Sequence, residues 1–296
     1  MFRSILARRA ARVWLCIKRS VVPGAAFAFL YMFVYTVYSA LMKGGDGLGW
    51  FDLFNNMITA FTVSVAGLTL LKLADFKGKL FHRYDESLIG TAFAGLKRSS
   101  MLFEEGLELF HRNDFRRALE VFTDLGNGDM KLTAEETGVN EFYRGRCYQI
   151  MNAFPNAILC YEKAQENGFY IPELPIFIAR CHVENGNAAR AREIYSGLMD
   201  GDYKYRDIIC CEMGNMYLKL NDGASALEWF GRSIDKHENY AEALCGAALA
   251  NVLLGNREKG EELYQQALIA GPEDPNGFRK QYKVFVELKG SESKEN

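Results

Sequence analysis

Histidine and proline are scarce in this 296-residue chain, four and six in all, and its seven cysteines form no C-x-x-C pair. Each shortage excludes something. Cys16, Cys147, Cys160, Cys181, Cys210, Cys211 and Cys245 are odd in number and unclustered, which argues against a disulfide scaffold or a zinc ribbon. They read as small hydrophobes packed in helices in a reducing compartment. His82, His111, His182 and His237 lack the H-E-x-x-H spacing of a metal-dependent hydrolase, and neither a P-loop nor G-x-S-x-G occurs. Cys181 adjoins His182, but neighbours on a helix point apart and cannot act as a nucleophile–base pair. A formal net charge of -2 gives no basic excess for nucleic acid. The acidic groups Glu104 with Glu105, and Glu258 with Glu261 and Glu262, read as solvated helix faces rather than paired catalytic carboxylates. No cofactor, metal or small-molecule substrate is expected.

Long apolar runs, by contrast, are present. Val21 to Met42 carries no charge and, as a helix rising about 1.5 Å per residue, is long enough for a hydrocarbon core of roughly 30 Å. A second uncharged run, Leu53 to Leu71, is blunted at its entry by Asn55 and Asn56. Between them lies the glycine-rich stretch KGGDGLGWFD. Its GGDGLG lacks the strand and helix that a nucleotide-binding loop requires, so it reads as a turn. Arg3, Arg8, Arg9, Arg12, Lys18 and Arg19 precede the first run, Lys72, Lys77, Lys79 and Arg83 follow the second, and the turn has only Lys43. The positive-inside rule then places both ends in the cytoplasm. A cleaved signal peptide would need a shorter apolar region and a small-residue cleavage site, which Tyr38 spoils. Should Leu53 to Leu71 not cross, the remainder of the chain would lie outside, against the grain of its unpaired cysteines. The N-terminal cations also suit an anionic membrane surface.

Beyond Arg83 the apolar residues recur three and four apart, broken by short turns with Gly or Asn, and strand-like alternation is essentially absent. A small residue followed four on by an aromatic recurs at Ala118 with Phe122, Ala157 with Tyr161, Ala191 with Tyr195, Ala226 with Phe230, and Gly260 with Tyr264. Seven on from the leading residue stand Leu125, Ala164, Leu198, Ser233 and Ala267. The leading residues are spaced by 39, 34, 35 and 34 positions, and twelve before each stands another small residue: Gly106, Gly145, Ala179, Gly214 and Ala248. A position so regularly small is where one helix must approach another closely. This pattern resembles the tetratricopeptide repeat (TPR) family, whose period is 34, over roughly Ser99 to Pro275. Leu102, Gly106 and Leu109 match in the first unit, Gly145 and Tyr148 in the second, Gly214 and Tyr217 in the fourth, and Leu244 with Pro272 in the fifth. His182 and Asn251 depart where tyrosine is usual, as do Pro175 near the start of the third unit and Gly260 where alanine is usual.

The expected architecture is all-α. Residues 1–20 form a basic cytoplasmic segment and 21–73 a transmembrane hairpin with spans at 21–42 and 53–71. Residues 74–98 are a helical lead-in, 99–275 a TPR-type α-solenoid of five repeats, and 276–296 a capping helix, at Phe278 to Leu288, with a disordered tail. Stacked hairpins share a core that one hairpin cannot build alone. The family resemblance implies a concave surface, lined by the first helix of each unit, that receives a peptide or protein. The residue after each small one should face it: Leu107, Arg146, Arg180, Asn215 and Leu249, with Phe103, Phe142 and Tyr143 nearby. Arg146 and Arg180 could stack and hold a ligand carboxylate or phosphate, or pair with Glu173, Glu184 or Glu212. The carboxylate clamp of the chaperone-binding subset is not carried over, because Phe103 and Leu107 occupy its first places. The leading function is a membrane-tethered scaffold whose partners are a protein or peptide and the lipid bilayer, in a bacterial cytoplasmic membrane. The alternative is an assembly factor or regulator of a membrane enzyme acting through the hairpin, where Gly24, Ala25, Ala26 and Ala28 permit close helix contact. A third reading is an enzyme working at Cys210 and Cys211.

Overall fold

In the computed structural model, which describes residues 2–43, 49–77, 88–95, 97–200, 206–236 and 240–295, the described residues form thirteen helices and no strand. They divide into two units, Met1–Ile171 and Pro172–Asn296. The turn at 44–48, Lys79, His82, Arg83 and His237 lie outside the described residues, as do residues 78–87 and 96 of the lead-in.

The first unit opens with α1 (Phe2–Lys43) and α2 (Trp50–Lys77), which pack against each other. The basic segment and the first apolar run are therefore one continuous helix of 42 residues through Pro23. Gly24 lets the two helices approach: a Cβ there would meet Val65 Cγ2 at 2.6 Å. Ala28 is buried too, while Ala25 and Ala26 face outward. Two stretches, Cys16–Ser39 and Leu53–Lys72, are long and apolar enough to cross a membrane. Hydroxyls within them donate to the carbonyl four residues back, Ser20 to Cys16 at 2.8 Å and Thr69 to Val65 at 2.7 Å. That arrangement leaves little polarity to an apolar solvent.

Two helical hairpins follow in this unit, α3 (Arg98–His111) with α4 (Phe115–Asn127) and α5 (Ala134–Ile150) with α6 (Phe154–Glu166). The second unit holds three more: α7 (Leu174–Glu184) with α8 (Ala188–Asp200), α9 (Arg206–Lys219) with α10 (Gly223–Ile234), and α11 (Ala241–Leu253) with α12 (Arg257–Ala270). The closing helix α13 spans Pro275–Glu295 and packs on α11. It thus runs through SESKE, which composition alone assigns to a disordered tail. Once a packed first turn has met the cost of nucleation, each further residue adds one hydrogen bond.

The hairpins are built alike. The chain turns between paired helices through one left-handed residue, Asn113, Asn152, Gly186, Asn221 or Gly255, the residue types that accept positive φ. The next N–H reaches back five residues, as in Asp114 to the Leu109 carbonyl and Asp222 to that of Tyr217, both 2.9 Å. His182 and Asn251 occupy this acceptor position and serve it through their carbonyls at 2.8 and 2.9 Å, so a tyrosine is not required there. Pro175 sits in the first turn of α7, where no helical N–H is lost.

The small residues of the first helices admit the aromatics of the second. A Cβ on Gly106, Gly145 or Gly214 would stand 2.6 Å from the ring of Phe122, Tyr161 or Phe230 respectively. Those rings are fully buried, as are Ala118, Ala157, Ala191 and Ala226. Asn140 Nδ2 donates to the Phe122 carbonyl at 3.0 Å and ties the second hairpin to the first, and Ser233 Oγ donates to the Asp207 carbonyl at 3.0 Å within the fourth.

Candidate protein-binding surface

Sequence reasoning places eight side chains on the receiving face of the first helices. Five of them are core. Phe103 is fully buried, stacked on Phe93 with centroids 4.1 Å apart and touching Tyr143 at 5.6 Å. Phe142 stacks on Phe169 at 4.8 Å, and Tyr143 packs among Phe103, Phe110 and Phe122. Leu107 is 1% exposed on α3, the helix on which α1 packs. Leu249 is 3% exposed, clustered with Phe278 and Tyr282 of α13. These positions are therefore packing residues: Phe142 and Tyr143 are covered by neighbouring aromatics of the repeats, and Phe103 and Leu249 by Phe93 and α13, chain outside the repeats that no repeat period foretells.

Three candidates remain at the surface. Arg146, on α5 in the first unit, is half-buried. In the second unit Arg180, on α7, donates through Nε at 2.8 Å and Nη2 at 2.5 Å to the two oxygens of Glu212 on α9. The hydrogen bond to Glu212 holds the guanidinium charged, above its ordinary range. Tyr195 Oη donates to the same carboxylate at 3.3 Å, and burial pushes the phenol up. Lys219 of α9 pairs with Glu184 of α7, a second link between the same helices. Asn215 is exposed, its Nδ2 4.0 Å from Cys211 Sγ.

Sequence reasoning missed a polar junction in the first unit. Arg19, near the basic end of α1, binds Glu105 at 2.8 Å and Glu108 at 2.6 Å on α3, and Glu108 also pairs with Arg112 at 2.7 Å. Lys72 Nζ donates to the Arg19 carbonyl at 2.7 Å and adds α2 to the junction. Glu104 and Glu108 are buried, so this face of α3 is not solvated as the acidic run suggests. Glu258, Glu261 and Glu262 are exposed, as read. Also missed is the contact of the turn at 88–95 with α5, where Thr91 Oγ1 donates to Glu135 at 2.6 Å. Only Gly90 and Gly95 hinted at a turn.

Burial raises the thiols of Cys210 and Cys211 above the ordinary thiol range.

No protein-family model and no curated protein sequence matches the chain. Among solved structures it is similar to YrrB, described as a TPR protein with an unusual peptide-binding site, at 17% identity, covering 62% of this chain and 91% of that one with a TM-score of 0.43. It is similar to MamA at 14% identity, 58% and 91% coverage and a TM-score of 0.45. The Cut9–Hcn1 hetero-tetramer of APC/C aligns over 91% of this chain and 47% of that one, at 15% identity and a TM-score of 0.51. Among the described residues the fold is all-α, an apolar N-terminal hairpin followed by five helical hairpins and a closing helix, an architecture shared with that structure.

Proposed function

We propose that the chain is a membrane-tethered scaffold: α1 and α2 cross the bilayer, both termini and the repeats lie on the cytoplasmic side, and the repeats bind a partner protein or peptide. The observation that carries this reading is the junction at Arg19, which joins an outwardly apolar helical hairpin to the first repeat helix through ion pairs. Phe29, Phe33, Leu41 and Phe51 are 76, 62, 79 and 82% exposed, a belt that water does not tolerate and lipid does. Cys16 and Ser20 are buried and Arg19 meets α3, while Val22, Phe27 and Phe29 beyond them are exposed. Tethering confines the repeats near membrane partners and raises their effective concentration there. The surface groups that hold ligand are Arg146 in the first unit and, separately, Arg180 and Asn215 in the second. For Arg180 this means sharing Glu212 with the ligand or exchanging one for the other.

The test is affinity capture of the full-length protein from detergent-solubilised membranes of its own host, beside Arg146→Ala, Arg180→Ala and Asn215→Ala variants. A specific partner should come down with the parent protein and be weakened at least fivefold by one or more of the substitutions. Equal capture by all four proteins contradicts the assigned residues, and capture of nothing contradicts the scaffold.

A further inference from the structure

In the first unit a short segment ahead of the repeats packs against both α3 and α5. Leu88 and Ile89 are helical, and the chain then turns through residues 90–93 ahead of the repeats, the turn closed by the Ala92 N–H donating to the Ile89 carbonyl at 3.0 Å. Ile89, Ala92 and Phe93 are 0, 2 and 0% exposed. Phe93 lies flat on Phe103, its ring 6° from parallel, and adopts a φ of 53°, a left-handed conformation that a bulky side chain resists. Thr91 presents both its N–H, at 3.0 Å, and its hydroxyl, at 2.6 and 2.7 Å, to the carboxylate of Glu135. Glu135 takes no part in the capping box of α5, which Thr133 and Glu136 form reciprocally. Beside the turn a cavity of about 210 Å³ stays open, walled by Leu88, Ile89, Glu135, Val139 and Phe169, with Tyr170, 78% exposed, at its rim.

From these contacts we infer that Leu88–Gly95 is an internal ligand, seated on the surface of α3 and α5 where a partner segment of the same chemistry would dock. The contacts are those by which an extended or turned peptide is recognised: one main-chain N–H, one hydroxyl, one aromatic ring and one aliphatic side chain. The partner segment is thus a short, uncharged turn that presents an aliphatic residue, a hydroxyl and a phenylalanine in the spacing of Ile89, Thr91 and Phe93. Binding requires the turn to leave, and the turn is held there by the high effective concentration of a tethered ligand, millimolar for a short connection. The inference rests on the proposed reading of the repeats as a binding platform and adds to it the ligand class and a self-occupied resting state.

The probe is a fluorescein-labelled peptide LIGTAFAG, titrated by anisotropy into the full-length protein in detergent. A Thr91→Ala/Phe93→Ala variant, which weakens the internal ligand, should bind it at least tenfold more tightly than the parent protein, and adding Glu135→Gln should remove that gain. Equal binding by parent and variant, or binding by neither, overturns the inference if the helical circular dichroism is unchanged. Should the variant lose its helical signal, hydrogen exchange of the parent protein in several millimolar unlabelled peptide decides. Faster exchange at 88–95 supports the inference and unchanged exchange overturns it. Failure here leaves the platform reading standing, because that reading is judged by partner capture.

Discussion

A methyl group on Gly214 would press against the ring of Phe230 at 2.6 Å, and the ring has nowhere to retreat, being fully buried between helices. Gly214→Val should therefore cost about 1–3 kcal/mol through overpacking, and Phe230→Ala about 3–5 kcal/mol through the cavity it leaves. Urea unfolding of the protein in detergent, followed by circular dichroism, measures both; wild-type midpoints for either variant would contradict the packing. The cysteines make a second prediction. Burial raises Cys147, Cys160 and Cys245 from 9.0 to about 12. Unfolded thiols ionise near pH 9 while the folded ones stay neutral, so their contribution is complete below pH 9 and is lost as the pH climbs towards 12. Stability should be flat from pH 7 to 9 and fall above it, less steeply in Cys147→Ala, and a thiol reagent at pH 8 should react slowly until denaturant is added. Residues of this packing kind were legible in the sequence, because a glycine or alanine twelve positions before a second small residue, and sixteen before an aromatic, reports a steric need that recurs in the hairpins. Phe103, Phe142, Tyr143, Leu107 and Leu249 were not, since a groove position and a covered position carry the same apolar letter.

At the scale of elements, the turns carry the regularity. Asn221 holds a φ of 59° between α9 and α10. Asn221→Gly should be close to neutral, and Asn221→Val should cost about 1–2 kcal/mol because its branched Cβ opposes the left-handed conformation. Thr133 accepts the Glu136 N–H at 3.1 Å, and Glu136 returns a bond from the Thr133 N–H at 3.0 Å. Thr133→Ala should lose about 1 kcal/mol, read by the same unfolding measurement, with no loss taken as evidence against the cap. Asn and Gly between apolar-periodic runs announced these turns in advance. The reach of α13 through Glu295 and the continuity of α1 did not show, because composition marks where a charge cluster starts and not whether a helix already under way will carry through it.

For the whole molecule, length supplies the argument. At about 1.5 Å per residue the 42 residues of α1 extend about 63 Å, twice a hydrocarbon core of roughly 30 Å. Only the apolar part can lie in lipid, and the basic end projects to where Arg19 meets Glu105 and Glu108. The junction was invisible in the sequence because its partners stand 89 positions apart and no repeat relates them. Arg19→Glu should set like charges against each other, freeing the repeats to move relative to the hairpin and raising proteolysis between α2 and α3 without changing helical content. The central claim is that an apolar hairpin anchors the repeats to a bilayer. It is tested most directly by washing membranes from cells that make the full-length protein with alkaline carbonate and sedimenting them. The protein should stay in the pellet and be released only by detergent; recovery in the carbonate supernatant would contradict the account.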